Sequence, residues 1–441
     1  MKTVTNPCHG ENRPAILLAG ASVRWAAQSL RRGLPNSRII GLDWFGDSDT
    51  RMVCDEFHSL QSEEGSSRNL AEQIDSVADF YSARVLRVGG LRVAGGIESQ
   101  DAWLRLQTIV RDLADESGSD DFPVTIPLTY QCSAEGCRVS GAGGEESPIT
   151  TAPAGASGQP LRWLWKQHDS TGGLGIRWAM PAGEPTAELG VGWLQQRVHG
   201  RSYGLVAIAE ADRTRVLGLC RGLHHRFGDR PFVYSGSRGP VFELGDSSRV
   251  LWSTLQKVSE RVAQEFSLRG LFNLDFVCDD TGRWWLLELN ARPSASCEVI
   301  ERWATEVGCL PADHSLMRMH LGAMDGNGRV DQMSCLSSQE RRPDETLSRQ
   351  KGSTHWVKRI VFANRNAMVD VEKIQHKLRA ESIAAELADL PLNTPTFVAA
   401  GEPILTLLVR MDDPLDRRDG RAKKMAATHL RRAIRIVQGA A

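Results

Sequence analysis

The chain has 441 residues, 53 basic and 54 acidic, for a formal net charge of −1. Such a balance leaves no overall basic field to attract nucleic acid or an anionic membrane, and the length, at roughly 100 to 200 residues per domain, calls for about three domains. The opening MKTVTNPCHGENRP lacks the apolar core of a secretion signal, and no window approaches the roughly 20 apolar residues of a membrane span, so a soluble cytoplasmic protein is expected. Nine cysteines scattered through so long a chain do not suggest a disulfide framework.

Ala15 to Ala19, followed by Gly20-Ala21-Ser22-Val23-Arg24, reads as a short buried strand turning into a helix. Ile39 to Arg51, IIGLDWFGDSDTR, reads as a second strand with an acidic end. Only Gly20 falls in the first turn, so the dinucleotide fingerprint is incomplete and a packing turn is the better reading. Ser22 is a candidate for holding a substrate carboxylate at the helix N-terminus. Cys132 and Cys137 are the closest cysteine pair, but no second Cys or His pair follows at ligand spacing, and zinc is not expected.

Ala134 to Pro160 is rich in Gly, Ser, Ala, Pro and Glu without apolar periodicity and reads as a flexible excursion. Leu161 to Gln167, LRWLWKQ, is an aromatic and aliphatic strand carrying Lys166. Ser170-Thr171-Gly172-Gly173-Leu174-Gly175 follows, a loop whose backbone N–H groups can approach phosphate oxygens, with Lys166 as a point charge beside them. Gly192 to Val198 is a further strand, placing Gln196 near a nucleoside if a nucleotide binds, and Gly204 to Ala209 is an apolar run. His224 and His225 are adjacent in a strand pattern and point to opposite faces, which does not suit ligation of one metal.

The most informative stretch is Gly270 to Glu298, GLFNLDFVCDDTGRWWLLELNARPSASCE. Phe272, Leu274 and Phe276 alternate with Asn273 and Asp275, a turn cluster follows at Asp279 to Gly282, and Trp285, Leu287 and Leu289 alternate with Glu288, Asn290 and Arg292. In a hairpin with a two- or four-residue connection, Asp275 lies opposite Leu286 with Glu288 as its diagonal neighbour. An odd-length loop puts the two carboxylates on opposite faces. On the even register, Asp275, Glu288 and Asn290 present hard oxygen atoms of the kind Mg²⁺ prefers, and Arg292 adds a planar fork suited to phosphate or carboxylate. Glu298 is a candidate for orienting an amine or, equally, for satisfying a helix N-terminus. Cys278 and Cys297 read as small packing residues. Asp325 to Ser353 is a polar linker, and the basic residues between Arg417 and Arg435 read as the solvated face of a terminal helix.

In this order, the Lys166 strand, the STGGLG loop, GWLQQRVHGRSY, LFNLDFV and LLELNARPSAS resemble the ATP-grasp superfamily. The resemblance implies an α+β and α/β architecture with these bounds: a nucleotide-like domain over 1–125, two ATP-gripping lobes over 126–330 with the excursion at 134–160, a linker at 331–353, and a small β-rich tail ending in a helix over 354–441. It implies ATP and Mg²⁺ as cofactors. Lys166, Ser170, Thr171, Gly172 and Gly173 would hold phosphates, Gln196 would lie at the adenine hinge, and Asp275, Glu288 and Asn290 would hold the metal. Arg292 would contact the transferring phosphoryl group or the acceptor carboxylate. Relatives usually carry Glu at the hinge and an earlier phosphate-binding Lys. Here the hinge is Gln196, and that earlier contact is absent or falls to Arg105, Arg111 or Arg138.

The DWFGDSDTR segment, GGIES at Gly95 to Ser99, KRIVFA at Lys358 to Ala363 and the Thr396 to Val409 strand are similar to ATP-grasp proteins linked to tetrahydromethanopterin- and methanofuran-type one-carbon carriers, related in turn to tyramine-glutamate ligase. The expected activity is ligation of a small-molecule carboxylate to an amine through an acyl phosphate, with glutamate as the amino-acid partner and a homodimer as the default assembly. The alternatives are a catalytically silent ATP-binding module that scaffolds a one-carbon enzyme complex, and a carboxylase of biotin-carboxylase type.

Overall fold

The computed structural model describes residues 14–60, 67–88, 100–118, 122–133, 136–140, 146–148, 162–167, 170–179, 192–241, 248–326, 353–413 and 420–440. The GGIES segment and the linker at 331–352 lie outside them, as does most of 134–160.

The N-terminal unit runs β1 (Ala15–Ala19), α1 (Arg24–Gly33), β2 (Arg38–Asp43), α2 (Ser48–Val53), β3 (Glu56–Ser59), α3 (Ser67–Tyr81) and β4 (Arg84–Arg87). The strands are parallel in the order β3-β2-β1-β4. Helices on both faces explain why β1 and β2 are near-continuous apolar runs rather than alternating ones. Leu17, Ile40 and Leu42 pack toward α3, while Ile16, Leu18 and Ile39 share a core with α1 and the central unit.

After α4 (Gln100–Ser117) and β5 (Val124–Thr125) comes a sheet of six antiparallel strands: β6 (Thr129–Ser133), β7 (Gly136–Ser140), β8 (Glu146–Pro148), β9 (Trp163–Gln167), β10 (Ile176–Trp178) and β11 (Gly192–Gln196). Their order is β10-β9-β11-β6-β7-β8. β7 and β8 thus fall within the segment expected to be an irregular excursion. The short polar strands there carry no apolar alternation because they extend one edge of the sheet. Cys132 and Cys137 are cross-strand partners in the β6–β7 hairpin.

A second, nine-stranded sheet contains β12 (Arg201–Ala209), β13 (Thr214–Phe227), β14 (Arg230–Gly239), β15 (Gly270–Cys278) and β16 (Trp284–Asn290), with α5 (Ser248–Glu265), α6 (Ser296–Glu306) and α7 (Leu316–Met324). Leu205, Ala207, Phe272, Leu274 and Phe276 turn to one face, where α4 and α5 supply Leu106, Ile109, Leu255, Val258 and Val262. Val206, Ile208 and Leu271 turn to the other, against α6, α7 and α1. The sheet continues into the C-terminal unit because β14 pairs with β17 (Ser353–Phe362), which pairs with β21 (Pro403–Asp413). The remaining C-terminal elements are β18 (Ala367–Val369), a helix at Val371–Ala380, β19 (Glu386–Ala388), β20 (Thr396–Val398) and a helix at Gly420–Ala440. No helix among the described residues is long and apolar enough to cross a membrane. Cys54, Cys220, Cys278 and Cys297 are free, whereas Cys309 is disulfide-bonded.

A buried ionic cluster joins the three units. Arg24 of α1, 1% exposed, donates from both Nη atoms to the Glu298 carboxylate at 2.9 and 2.8 Å, and from Nε to Asp389 at 2.7 Å. Lys358 of β17 donates to Glu298 at 2.8 Å. Glu298 does lie in the first turn of α6, but both of its oxygens are taken by cations from the N- and C-terminal units, which leaves none to orient an amine. Burial pushes its carboxyl up, but Arg24 and Lys358 together outweigh burial and hold it well below the usual carboxylate range.

Glu298→Leu takes the carboxylate from buried Lys358 and leaves Arg24 only aspartates as charged partners, and is expected to cost about 3–5 kcal/mol, read as a lower urea midpoint. Because Glu298 is depressed in the folded state, its contribution is complete above the ordinary glutamate value of about 4.3 and drains away as pH falls below it. The wild type should lose more stability on acidification than Glu298→Gln does, measured by urea titration at successive pH values.

Candidate active site

A cavity of about 1260 Å³ opens between the two large sheets and is also walled by the N- and C-terminal units. Its geometry follows from a departure in β16. Cys278 pairs with Trp284 and Phe276 with Leu286, so the connection is the five-residue Asp279 to Arg283, not an even-length turn. Asp279 builds that turn, its Oδ1 accepting from Thr281 N at 2.9 Å and Arg283 N at 3.0 Å and its Oδ2 from Trp285 Nε1 at 2.8 Å. An odd loop alone would set Asp275 and Glu288 on opposite faces. A β-bulge at Leu287 corrects the register, so that Asp275 pairs directly with Glu288 and Asn273 with Asn290. The core side of β16 is consequently Trp284, Leu286 and Leu289, replacing the expected alternation of Trp285, Leu287 and Leu289.

Asp275 is held by two amides: Asn273 Nδ2 donates to Oδ1 at 2.7 Å and Asn290 Nδ2 to Oδ2 at 3.0 Å. Ser294 Oγ donates to Asn273 Oδ1 at 3.1 Å, which fixes that amide's orientation. Burial, then the facing Glu288 carboxylate, raises the Asp275 pKa, while Lys166 and Arg292 oppose the rise. Two carboxylates opposed at one strand pair favour a cation between them. With Asn290 they make two acidic oxygen donors and one amide, a set that fits Mg²⁺ with its remaining positions open to water and phosphate. No group of three or more His, Cys, Asp or Glu side chains suited to a metal occurs among the described residues. Gly204 of β12 lies directly across from Asp275, and a Cβ there would sit 3.3–3.4 Å from Asn273 Oδ1, Ser296 Oγ and Asp275 Oδ1.

Facing this row are Lys166 and the glycine loop. Leu174 N donates to Thr171 O at 3.1 Å, and Gly172 and Gly173 between them have φ of 62° and 76°, a turn with both central residues left-handed. The loop is seated on β14: Tyr234 N donates to Gly172 O at 2.8 Å, and a Cβ on Gly173 would come within 2.0 Å of Phe232 O. Ser170, Thr171, Gly172 and Gly173 all line the cavity, as do Arg292 and Ser22.

Gln196 also borders the cavity, but its side-chain oxygen accepts from Leu128 N at 3.3 Å. The antiparallel register sets Trp193 opposite Lys166 and Gln195 opposite Leu164, so Gln195, not Gln196, shares the Lys166 face. Gln195 is buried and donates to Thr129 Oγ1 at 3.2 Å. Strand alternation carried that signal, had the exact pairing been known. Arg105 and Arg111, considered as substitutes for an earlier lysine, do not line the cavity. Arg105 pairs with Glu265 and lies over the Phe266 ring, and Arg111 pairs with its neighbour Asp112. The Arg138 side chain lies outside those described. Asn273, Tyr234 and Lys358 line the cavity without having been singled out in the sequence.

Comparison with known proteins bears on the fold. The family model described as ATP-grasp domain matches residues 144–296. No curated protein matches the sequence. Among solved structures, carboxyaminoimidazole ribonucleotide synthase from Aspergillus clavatus complexed with ATP aligns with a TM-score of 0.55 at 12% identity, over 98% of this chain and 100% of that one. L-amino acid ligase from Bacillus licheniformis aligns with a TM-score of 0.55 at 8% identity, over 96% and 98%. The biotin carboxylase ATP-analogue complex from Campylobacter jejuni aligns with a TM-score of 0.54 at 13% identity, over 94% and 91%. The chain has the ATP-grasp fold.

Proposed function

We propose that the protein is an ATP- and Mg²⁺-dependent ligase that joins a carboxylic acid to an amine through an acyl phosphate. The observation that carries this reading is the pairing of Asp275 with Glu288 in the same cavity as Lys166 and the glycine turn. The acid's carboxylate oxygen attacks the γ-phosphorus of ATP and ADP leaves. The amine then attacks the carbonyl carbon, phosphate departs, and loss of a proton gives the amide. Such chemistry asks for positioning and charge neutralisation rather than a protein nucleophile.

Lys166 supplies positive charge and the turn supplies backbone N–H groups to the phosphates. Asp275, Glu288 and Asn290 would hold Mg²⁺, which when bound neutralises phosphate charge. Arg292 supplies a planar fork to the transferring phosphoryl group or to the acid's carboxylate. Names of structural neighbours, carboxyaminoimidazole ribonucleotide synthase and L-amino acid ligase, support nucleotide-driven bond formation at this cavity. Similarity to one-carbon-carrier ATP-grasp proteins makes glutamate the first amine to include among candidates.

Glu288→Gln is expected to lower substrate-stimulated phosphate release on the order of 100-fold or more, with the circular dichroism spectrum unchanged. Equal rates in variant and wild type, or wild-type release that no acid and amine in a broad panel stimulates, would overturn the ligase reading. Gly173→Ala places a Cβ against the Phe232 carbonyl at a strained φ, so the turn should no longer seat on β14. Its expected result is weaker ATP binding by calorimetry, roughly tenfold, with little change in melting temperature because the loop contributes little to the core.

A further inference from the structure

The floor of the cavity beside Asp275 is stripped of bulk. Directly paired residues share a face of the sheet, and Asp275 pairs with Gly204, Gly204 with Cys220, and Gly222 with Ser237, so two glycines and a serine lie on the cavity side. A row of three hydroxyls crosses this floor. Tyr234 Oη lies 2.8 Å from Ser237 Oγ, and Ser237 Oγ lies 3.0 Å from Ser296 Oγ. All three residues line the cavity, and Ser237 and Ser296 are buried. Tyr234 and Ser237 are three apart on β14, and a regular strand would turn them to opposite faces. One extra residue in β14, between Gly236 paired with Leu223 and Tyr234 paired with His224, brings Tyr234 round to the Ser237 side.

The row has a direction. Ser296 opens α6, where a hydroxyl commonly caps the helix, yet the N-cap Ala295 makes no side-chain cap bond and the Ser296 hydroxyl meets Ser237 instead. Three hydroxyls carry three protons and make two bonds to one another, so one proton remains for a further partner at one end. At the Tyr234 end its hydroxyl has no other hydrogen bond among the described residues. A phenol gives its proton to a neighbour more readily than an alcohol does, and burial keeps the Tyr234 phenol protonated. Tyr234 thus donates to Ser237 and Ser237 to Ser296, which leaves the Ser296 proton for the cavity, and each bond in such a row strengthens the next. That proton borders the gap at Gly204, where the point a Cβ would occupy is 3.3 Å from Ser296 Oγ and 3.4 Å from Asp275 Oδ1.

Resting on the ligase reading, we propose that Ser296 is the hydrogen-bond donor to the carbonyl oxygen of the acyl phosphate, with Ser237 and Tyr234 as positioning residues that aim and polarise it. When the amine attacks the carbonyl carbon, the nitrogen lone pair forms the C–N bond and the carbonyl π pair moves onto oxygen. Ser296 meets that negative charge with a proton it keeps. The pair then returns to re-form the carbonyl, the C–O bond to phosphate breaks, and the departing phosphate carries off the amine's proton. A neutral donor suits this place. Asp275 and Glu288 already supply negative charge beside it, and a further carboxylate would oppose the charge that develops on the oxygen.

The test supplies hydroxylamine as the amine, which captures an acyl phosphate as a hydroxamate read by its ferric colour, with the standard amino acids, succinate and benzoate as acids in the presence of ATP and Mg²⁺. The full chain is compared as wild type, Ser296→Ala, Tyr234→Phe and the double variant. Ser296→Ala is expected to lower kcat on the order of 100-fold, the loss typical of one oxyanion donor, with ATP affinity by calorimetry unchanged. Tyr234→Phe keeps the ring and is expected to lower kcat about tenfold, and to cost nothing more when added to Ser296→Ala, because its effect passes through the Ser296 hydroxyl. Wild-type kcat in Ser296→Ala overturns the proposal, as do losses that multiply in the double variant, the pattern of hydroxyls that merely brace α6 on β14. Should Ser296→Ala melt before it can be assayed, wild-type kcat in Tyr234→Phe overturns it equally. Failure of the ligase reading has a different signature: the wild type itself makes hydroxamate from none of the acids, and the proposal falls with it.

Discussion

One buried carboxylate holds the molecule's three units in register. Glu298 sits at the first turn of α6, and its two oxygens are claimed by Arg24 from the N-terminal unit and Lys358 from the C-terminal unit. Losing the carboxylate would take a buried partner from both cations at once, so the arrangement acts as a single joint. Such a cluster adds little net stability compared with an apolar core of the same volume. Its physical value lies in geometry, since charged groups at hydrogen-bond distance tolerate far less sliding than apolar ones. The cavity needs that geometry, because its walls come from all three units.

The site itself depends on a second local device, the bulge at Leu287. A five-residue turn and a regular hairpin would direct Glu288 toward α5 and leave Asp275 facing leucine. One extra residue in β16 brings both carboxylates to the cavity, and the cost is a carboxyl pair that repels until a cation arrives. Gly204 and the Asn273–Ser294 contact complete the arrangement by leaving space beneath Asp275 and fixing the amide beside it.

How much of this was legible in the sequence depended on whether the information was local. Alternation of Phe272, Leu274 and Phe276 with Asn273 and Asp275 gave the correct faces of β15, because residue periodicity and strand geometry coincide. Faces in β16 came out right from Glu288 onward and wrong from Trp284 to Leu286, where Trp284 and Leu286 rather than Trp285 turn to the core, since a bulge leaves no signature in hydrophobic pattern alone. Which of the adjacent glutamines Gln195 and Gln196 faces Lys166 is likewise decided by pairing between β9 and β11, separated by 24 residues or more of chain. Glu298 carries no sign in its neighbours that Arg24 and Lys358 will reach it, for those partners are 274 and 60 residues away. Long-range charge pairing is a property of the packed units and becomes visible only once they are assembled.

The seating of the glycine turn on β14 has a kinetic consequence. With Gly172 O bonded to Tyr234 N and Gly173 pressed on the Phe232 carbonyl, the turn bridges the two sheets that enclose the cavity. Any movement of the six-stranded sheet away from β14 must therefore break that hydrogen bond and that close contact first, so the turn governs how readily this side of the cavity opens.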